Sequence, residues 1–308
     1  MKILLTGKNG QVGAELAILL PHLGDVLAFD RKEMDLANRA QIRQTIREHC
    51  PNVVVNAAAY TAVDQAEKEE EQARIINSEA PALIAEEAKK IGALLVHYST
   101  DYVFDGSKRS PYFETDRTNP INVYGKTKLE GEKAIKDTGV AHLIFRTAWV
   151  YGSRGRNFLL TILRLATKRE ELRIVRDQIG APTWSRAIAK GTAEVLSKHF
   201  ARSGTAANEI RGTYHMTASG QANWFEFAES ILREAWQAPK GIPWLVSATR
   251  GRPLVVRRIV PIATAEYPTP ARRPAYSVLS NTRLGEDFGI ELPTWSQQLN
   301  EVFGKTQL

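Results

Sequence analysis

Tyr124 and Lys128 stand four residues apart in VYGKTKLEGEKA, residues 123–134, a run with the composition of a helix. On a helix, positions i and i+4 share a face with Cβ atoms about 5–6 Å apart, so phenol and ammonium address one small volume. A free phenol has a pKa of about 10, and a nearby positive charge favours the phenolate and lowers that value. A tyrosine so tuned is a proton donor to an oxygen acquiring negative charge, as a carbonyl oxygen does on receiving hydride. Gly125, between the two, leaves room beside the phenol. The same spacing equally suits a surface tyrosine lying along a lysine stem.

HYSTDYVFDG, residues 97–106, starts on an apolar strand and leaves its carboxyl end, where α/β enzymes place their chemistry. It delivers Ser99, Thr100 and Asp101 together. A hydroxyl there can hydrogen-bond a substrate carbonyl and orient the phenol, and a turn closed by local side-chain bonds would use the same residues.

A third cluster reads as a phosphate cradle. TGKNGQVG follows the first apolar run and opens a helix, placing Gly7, Gly10 and Gly13 where a tight turn and close backbone approach to a pyrophosphate are required. The helix N-terminus then faces the anion. Asp30 follows Gly13 by 17 residues, at the end of the second apolar run, where a carboxylate can bind an adenosine ribose hydroxyl. Arg31 beside it can pair with a 2′-phosphate, so both NADH and NADPH fit. Asp35 and Leu36 either reach the adenine or simply lead into a helix.

The elements that must position these groups alternate. Apolar runs at 2–6, 26–30, 52–56, 93–99 and 142–146 read as strands, and periodic segments at 11–20, 38–49 and 70–91 read as helices. Alternation of this kind predicts an α/β fold: a doubly wound, Rossmann-like parallel sheet covered on both faces. Residues 1–150 form the dinucleotide-binding domain in this reading. Beyond 150 the alternation loosens, with strands at 172–175 and 212–218, a helix at 185–200 and terminal helices near 281–303. Segments near 171–200 are expected to return to the first domain. The remainder of 151–308 forms a smaller C-terminal substrate domain over the strand ends.

With 308 residues, 43% apolar and 24% charged, the chain falls in the globular range. No stretch approaches the roughly 20 apolar residues of a membrane helix, and the opening MKILLTG lacks signal-peptide architecture, so no membrane partner and a cytoplasmic location are expected. Cys50 is the single cysteine, which excludes an internal disulfide and reads as a buried apolar thiol. The net charge of +7 is uneven: residues 1–150 carry 19 Lys and Arg against 21 Asp and Glu, leaving 22 against 13 for the rest. A basic second half suits a phosphorylated small molecule. RGRPLVVRR at 250–258 has no aromatic interleaving to stack bases, so no nucleic-acid partner is expected. His97, His142 and His215 lie on apolar strands and read as satisfied core histidines.

TGKNGQVG, NAAAYTAVD, STDYVFDG, YGKTKLEGE and RTAWVYG, followed by DQIGAPT at 177–183 and YPTPARRPAYSVL at 267–279, occur in an order that resembles the extended short-chain dehydrogenase/reductase family, in particular its dTDP-4-dehydrorhamnose reductase branch. The resemblance spans nearly the whole chain. It implies reduction of the C4 ketone of dTDP-6-deoxy-L-lyxo-4-hexulose to dTDP-L-rhamnose with NADPH or NADH. It implies Tyr124 as proton donor, Lys128 as its electrostatic partner and ligand of the nicotinamide ribose, and Thr100 as the hydroxyl assisting the carbonyl. Asp101 and Trp149 match positions that contact the deoxysugar. The backbone of Gln11, Val12 and Gly13, with Asp35, Leu36, Ala59, Tyr60, Thr61 and Tyr98, would line the cofactor.

Arg273 in TPARRP can hold a nucleotide-sugar diphosphate bidentately or close a surface turn. The resemblance also brings a homodimer with magnesium at the subunit contact, for which the sequence offers no carboxylate cluster; no metal ligand is assigned. Residues 201–211 and 236–256 match nothing specific to the family. Competing readings are another nucleotide-sugar reductase or epimerase, and a non-catalytic regulatory subunit resembling that of methionine adenosyltransferase.

Overall fold

The computed structural model describes residues 1–203, 211–239 and 241–304. Its centre is a six-stranded parallel sheet. Strands β1 (Lys2–Thr6), β2 (Asp25–Phe29), β3 (Val53–Asn56), β4 (Leu94–Thr100) and β5 (His142–Thr147) are joined at the far edge by Arg211–His215, in the spatial order Arg211–His215, β5, β4, β3, β1, β2. The order reverses at β1, whose two neighbours are β2 and β3, so the crevice for a ligand opens beyond its carboxyl end.

Alternation along the strands sorts the core into two layers. Ile3, Leu5, Val53, Val55, Leu94 and Val96 pack on one face, and Leu4, Val54, Leu95 and Ile144 on the other. The first layer receives helix α1 (Gln11–Leu19) and continues without a break into Leu159, Trp184, Phe227 and Leu299 of the second half. The second layer receives α2 (Arg39–His49), whose Asn38 side chain caps the Gln41 N–H.

The helix expected at 70–91 is interrupted. Glu70–Arg74 and Ala80–Lys90 flank a single π-helical stretch, Ile75–Glu79. Pro81 opens the second helix, and Asn77 inside the π turn is fully buried, accepting from the Tyr60 N–H and donating to the Tyr60 carbonyl and the Thr127 hydroxyl. Such π turns recur at functional sites. Here the turn meets the helix Val123–Thr138 so closely that a Cβ on Gly131 would lie 2.1 Å from the Asn77 carbonyl oxygen.

From residue 150 onward the chain builds small two-stranded pairings: Val150–Tyr151 with Thr183–Trp184, Ile179–Gly180 with Ala222–Asn223, and Glu171–Val175 with Arg258–Ile262. The helix Ser185–Ser203 lies along α1, tied by Arg186 to the buried Glu15 carboxylate at 2.7 Å. The segment Glu171–Val175 therefore stays outside the six-stranded sheet, while Arg211–His215 enters it. The terminal helices are Thr282–Phe288 and Trp295–Val302. Part of 201–211 lies outside the described residues.

Cys50 departs from the sequence reading. It is the left-handed C-cap of α2, with φ 42°, and is exposed. Its thiol donates to the Arg47 carbonyl, as a helix C-terminus permits. No described helix is long and apolar enough to cross a membrane.

Candidate active site

The cradle is built as its glycines require. Gly7 adopts φ 75°, a conformation that favours glycine, and a Cβ there would meet the Ala58 amide nitrogen at 2.9 Å. A Cβ on Gly13 would lie 2.1 Å from the Gly7 carbonyl oxygen, so only glycine lets α1 start this close to β1. Gly10 caps α1 without any side-chain hydrogen bond, and no acidic residue occupies the first turn. The first-turn N–H groups at Gln11, Val12 and Gly13 thus meet no competing carboxylate, and the helix dipole adds to them. This cradle fits a pyrophosphate.

Asp30 follows β2 directly. Its carboxylate accepts from the Lys32 and Glu33 backbone N–H groups and from the Asn9 amide, and these bonds, led by Lys32, hold it below its ordinary pKa. Arg31 is largely exposed and sits 3.6 Å from the Asp35 carboxylate. Leu36 is buried in the second core layer, so its side chain is structural. Beyond β3, Ala59, Tyr60 and Thr61 form the loop anchored by Asn77. The Tyr60 phenol donates to Glu69 at 2.6 Å and is raised to about 12 by that bond and by burial. Tyr98 turns its phenol to Thr192, 2.7 Å away, and contributes its carbonyl to Lys128.

Tyr124 is the second residue of the helix Val123–Thr138. Asn122 caps this helix by accepting from Gly125 N–H at 2.7 Å, and its own amide donates to the Arg272 carbonyl. Gly125 has a different job from the one its position implied: a Cβ there would lie 2.1 Å from the Tyr102 carbonyl oxygen, so it seats the helix on the turn after β4. That turn presents Thr100 and Asp101. Thr100 donates to Asp101 Oδ1 at 3.0 Å and accepts from the Tyr102 N–H. Asp101 is buried, its carboxyl raised to about 7 by burial against the pull of hydrogen bonds from Ser277 and Thr100. Its Oδ2 is buried with no hydrogen-bond partner among the described residues.

The phenol does not behave as the charge argument expects. Burial raises Tyr124 to about 12; its hydrogen bond with Thr100 opposes the rise, and the Asp101 charge adds to it. Lys128 is fully buried and points its amine at the Tyr98 carbonyl, 2.6 Å away, and at His97 Nε2, 3.1 Å away. The ammonium is thereby shared with the protein interior, and desolvation outweighs any help to the phenol. Burial also lowers Lys128 to about 8, against the favourable charge of Glu132. Ser99, the third hydroxyl-bearing candidate, donates to Glu132, which in turn holds Arg146 by two bonds at 2.9 and 2.7 Å.

Trp149 leaves β5 with φ 45°, in the left-handed region. Its indole lies flat on Trp224, ring centroids 3.4 Å apart and planes within 3°. Gly180 covers it too: a Cβ there would lie 2.4 Å from the ring. Trp224 donates through Nε1 to Gln178, which donates to Thr264. The Arg273 guanidinium is engaged within the chain. It grips Asp64 at 2.9 and 2.7 Å and also donates to Thr269 and the Ala271 carbonyl, closing the loop 269–273 onto the helix Val63–Ala66.

In the sequence His97 reads only as a core histidine, and nothing singles out Ser277, Trp224 or Gln178. Only His97 carried a usable cue, since it stands two residues before Ser99 on the strand face that meets the lysine helix. His142 and His215 are core histidines bonded to the Val140 and Ser280 carbonyls. Among the described residues there is no group of three side chains able to hold a metal.

A glycine cradle at the switch point of a parallel sheet, with a tyrosine–lysine helix across the strand ends, defines a nicotinamide-dependent oxidoreductase of the extended short-chain class. Within it, the chain belongs to the family described as the RmlD substrate binding domain, which matches residues 1–308. A dTDP-4-dehydrorhamnose reductase of Burkholderia thailandensis is 53% identical over 295 residues, 96% of this chain and 95% of that one. One of Escherichia coli strain K12 is 43% identical over 316 residues, covering both chains fully at 100%. A crystal structure of dTDP-4-dehydrorhamnose reductase from Bacillus anthracis in complex with NADP has a TM-score of 0.85 at 35% identity, covering 99% of each chain.

Proposed function

We propose that this chain reduces the C4 ketone of dTDP-6-deoxy-L-lyxo-4-hexulose to dTDP-L-rhamnose, with NADPH or NADH as reductant. The observation that carries the reading is the cluster of half-buried Tyr124 with buried Thr100 and Asp101 at the carboxyl end of β4, one helical turn from Lys128. The cradle of Gly7, Gly10 and Gly13, with Asp30 at the end of β2, would hold the dinucleotide, whose chemistry when bound would be hydride donation.

The chain supplies the rest. As the carbonyl oxygen gains charge, the Tyr124 phenol and the Thr100 hydroxyl, turned from Asp101 toward the substrate, stabilise it, and Tyr124 releases its proton to it. A phenol at about 12 remains a competent acid here, because an alkoxide approaches the basicity of hydroxide, whose conjugate acid has a pKa of about 15.7 in bulk water. Asp101, titrating near neutrality, offers its free Oδ2 to a sugar hydroxyl. Trp149, clamped by Trp224 and Gly180, gives the sugar a rigid apolar wall.

Residues 1–150, with the helix Ser185–Ser203 and the strand Arg211–His215, serve the dinucleotide in this reading. The basic remainder closes over the nucleotide sugar, turning remote binding energy into alignment. Arg273 acts as the clasp between the two parts. A cytoplasmic homodimer completes the proposal, and light scattering tests the dimer.

The chain, mixed with enzymatically prepared keto sugar and NADPH, is expected to oxidise the cofactor and form dTDP-L-rhamnose identifiable by NMR. A different epimer, or no cofactor oxidation, would sink the assignment.

A further inference from the structure

Behind the catalytic tyrosine runs a second chain of polar groups. Lys128 Nζ donates to the Tyr98 carbonyl at 2.6 Å and lies 3.1 Å from His97 Nε2. His97 Nδ1 lies 3.1 Å from Asn56 Nδ2, and Asn56 Oδ1 accepts from the Thr6 hydroxyl at 2.7 Å. Lys128, His97, Asn56 and Thr6 are each 1% exposed. At that burial the hydrogen-bond inventory has to close within the protein.

An ammonium has three N–H donors and no lone pair, whereas a neutral imidazole has one N–H and one lone pair. A charged Lys128 therefore requires the lone pair of His97 at Nε2, which puts the ring hydrogen on Nδ1. That hydrogen needs an acceptor, and a half-turn of the Asn56 amide presents its oxygen, leaving the amide nitrogen to donate to the Thr6 oxygen. A neutral Lys128 permits the opposite set. His97 Nε2–H then donates to the amine, Nδ1 accepts from Asn56 Nδ2, and Thr6 donates to Asn56 Oδ1. The two sets differ by one proton on Lys128; the structure shows the amide orientation of the neutral set, and the charged set turns the Thr6 hydrogen away from Asn56.

We propose that His97 is a positioning residue for the reduction: it holds Lys128 as an ammonium with its third N–H in one fixed direction, and the His97–Asn56 pair exchanges tautomer and amide orientation when that proton leaves. The positioning half rests on the function proposed above; the tautomer half stands without it. With one hydrogen on the Tyr98 carbonyl and one on His97, tetrahedral geometry fixes the third, which is left for a ribose hydroxyl.

The surrounding charges set where the exchange occurs. Burial lowers Lys128 to about 8, and Glu132, one turn further along the same helix, opposes that fall. From β4, His97 is held neutral by burial and by the Lys128 charge. From β5, Arg146 pairs with Glu132 and tempers its pull on the lysine. Asp101, past the end of β4, acts on Tyr124.

Nitrogen-resolved NMR of the full chain labelled in histidine reads the tautomer without substrate. The expected result is hydrogen on His97 Nδ1 at low and neutral pH, crossing to Nε2 as pH passes about 8. An Nε2–H ring at every pH overturns the exchange. Kinetics test the positioning role. His97→Leu removes an acceptor from a buried cation, so kcat should fall roughly ten- to hundredfold, NADPH binding should weaken, and the alkaline limb of the pH profile should move down by about one unit. His97→Gln, which keeps an acceptor, should recover much of this. Native kcat and an unmoved limb in folded His97→Leu overturn the role, as does a native chain with no turnover. The NMR measurement uses native protein and stands whether or not His97→Leu folds.

Discussion

The two ends of one helical turn live in different surroundings. Tyr124 is half-buried and meets the hydroxyl and carboxyl groups that leave β4, whereas four residues on Lys128 is sealed and meets the strand itself. The helix crosses between two parallel strands, so it starts at the carboxyl end of β4 and runs back along the sheet: Tyr124 in its first turn stays at the mouth, while Lys128 reaches His97 and Glu132 accepts from Ser99 inside. Beyond Thr100 the strand ends, and the tyrosine alone faces the mouth. Chemistry at the mouth and charge storage behind it are thus separated by a single turn.

Removing the sealed end should have the largest effect. Lys128→Met is expected to lower kcat by a factor of about 10² or more and to weaken NADPH binding with it, both measurable by steady-state kinetics and fluorescence titration. Loss of kcat alone would detach the lysine from the cofactor. Next, Arg146→Met leaves the Glu132 carboxylate buried without its guanidinium, and denaturant titration should show a loss of about 3–5 kcal/mol. An unchanged midpoint would mean that the sealed side is not held by that pair.

At the mouth the effect should follow pH. The folded pKa of Asp101 is raised to about 7, above its unfolded value of 3.8, so its burial destabilises the native state progressively as pH rises between those values. Asp101→Asn should therefore gain stability relative to the parent toward and above pH 7, on the order of a few kcal/mol, and lose any inflection near pH 7 in kcat/KM. Parallel stability curves for the two proteins from pH 4 to 8 would contradict the buried carboxyl. The smallest change belongs to the wall. Trp224→Leu removes the ring from Trp149 and should raise the sugar KM by roughly tenfold with kcat little changed, while Trp224→Phe should retain most of the affinity.

Much of this architecture is legible in the sequence where a local rule has no alternative. Gly7 and Gly13 admit no Cβ, and the first five strands alternate with helices. The i, i+4 spacing put Tyr124 and Lys128 on one face. What it did not reveal was which neighbours come through tertiary contact: His97 reads as an apolar-strand histidine until the helix is laid across it, and Trp224 lies far from Trp149 in sequence. The effect of Lys128 on Tyr124 was misjudged for the same reason, because spacing predicts proximity but not burial, and burial governs both pKa values. Arg273 is a similar case, its guanidinium taken by Asp64 from the other half of the chain.

The most direct measurement is a comparison of native chain and Tyr124→Phe under saturating keto sugar, with NADPH affinity measured in parallel. The account predicts equal cofactor affinity and turnover reduced by about 10²–10⁴ in the variant. Turnover of Tyr124→Phe at the native rate would contradict it.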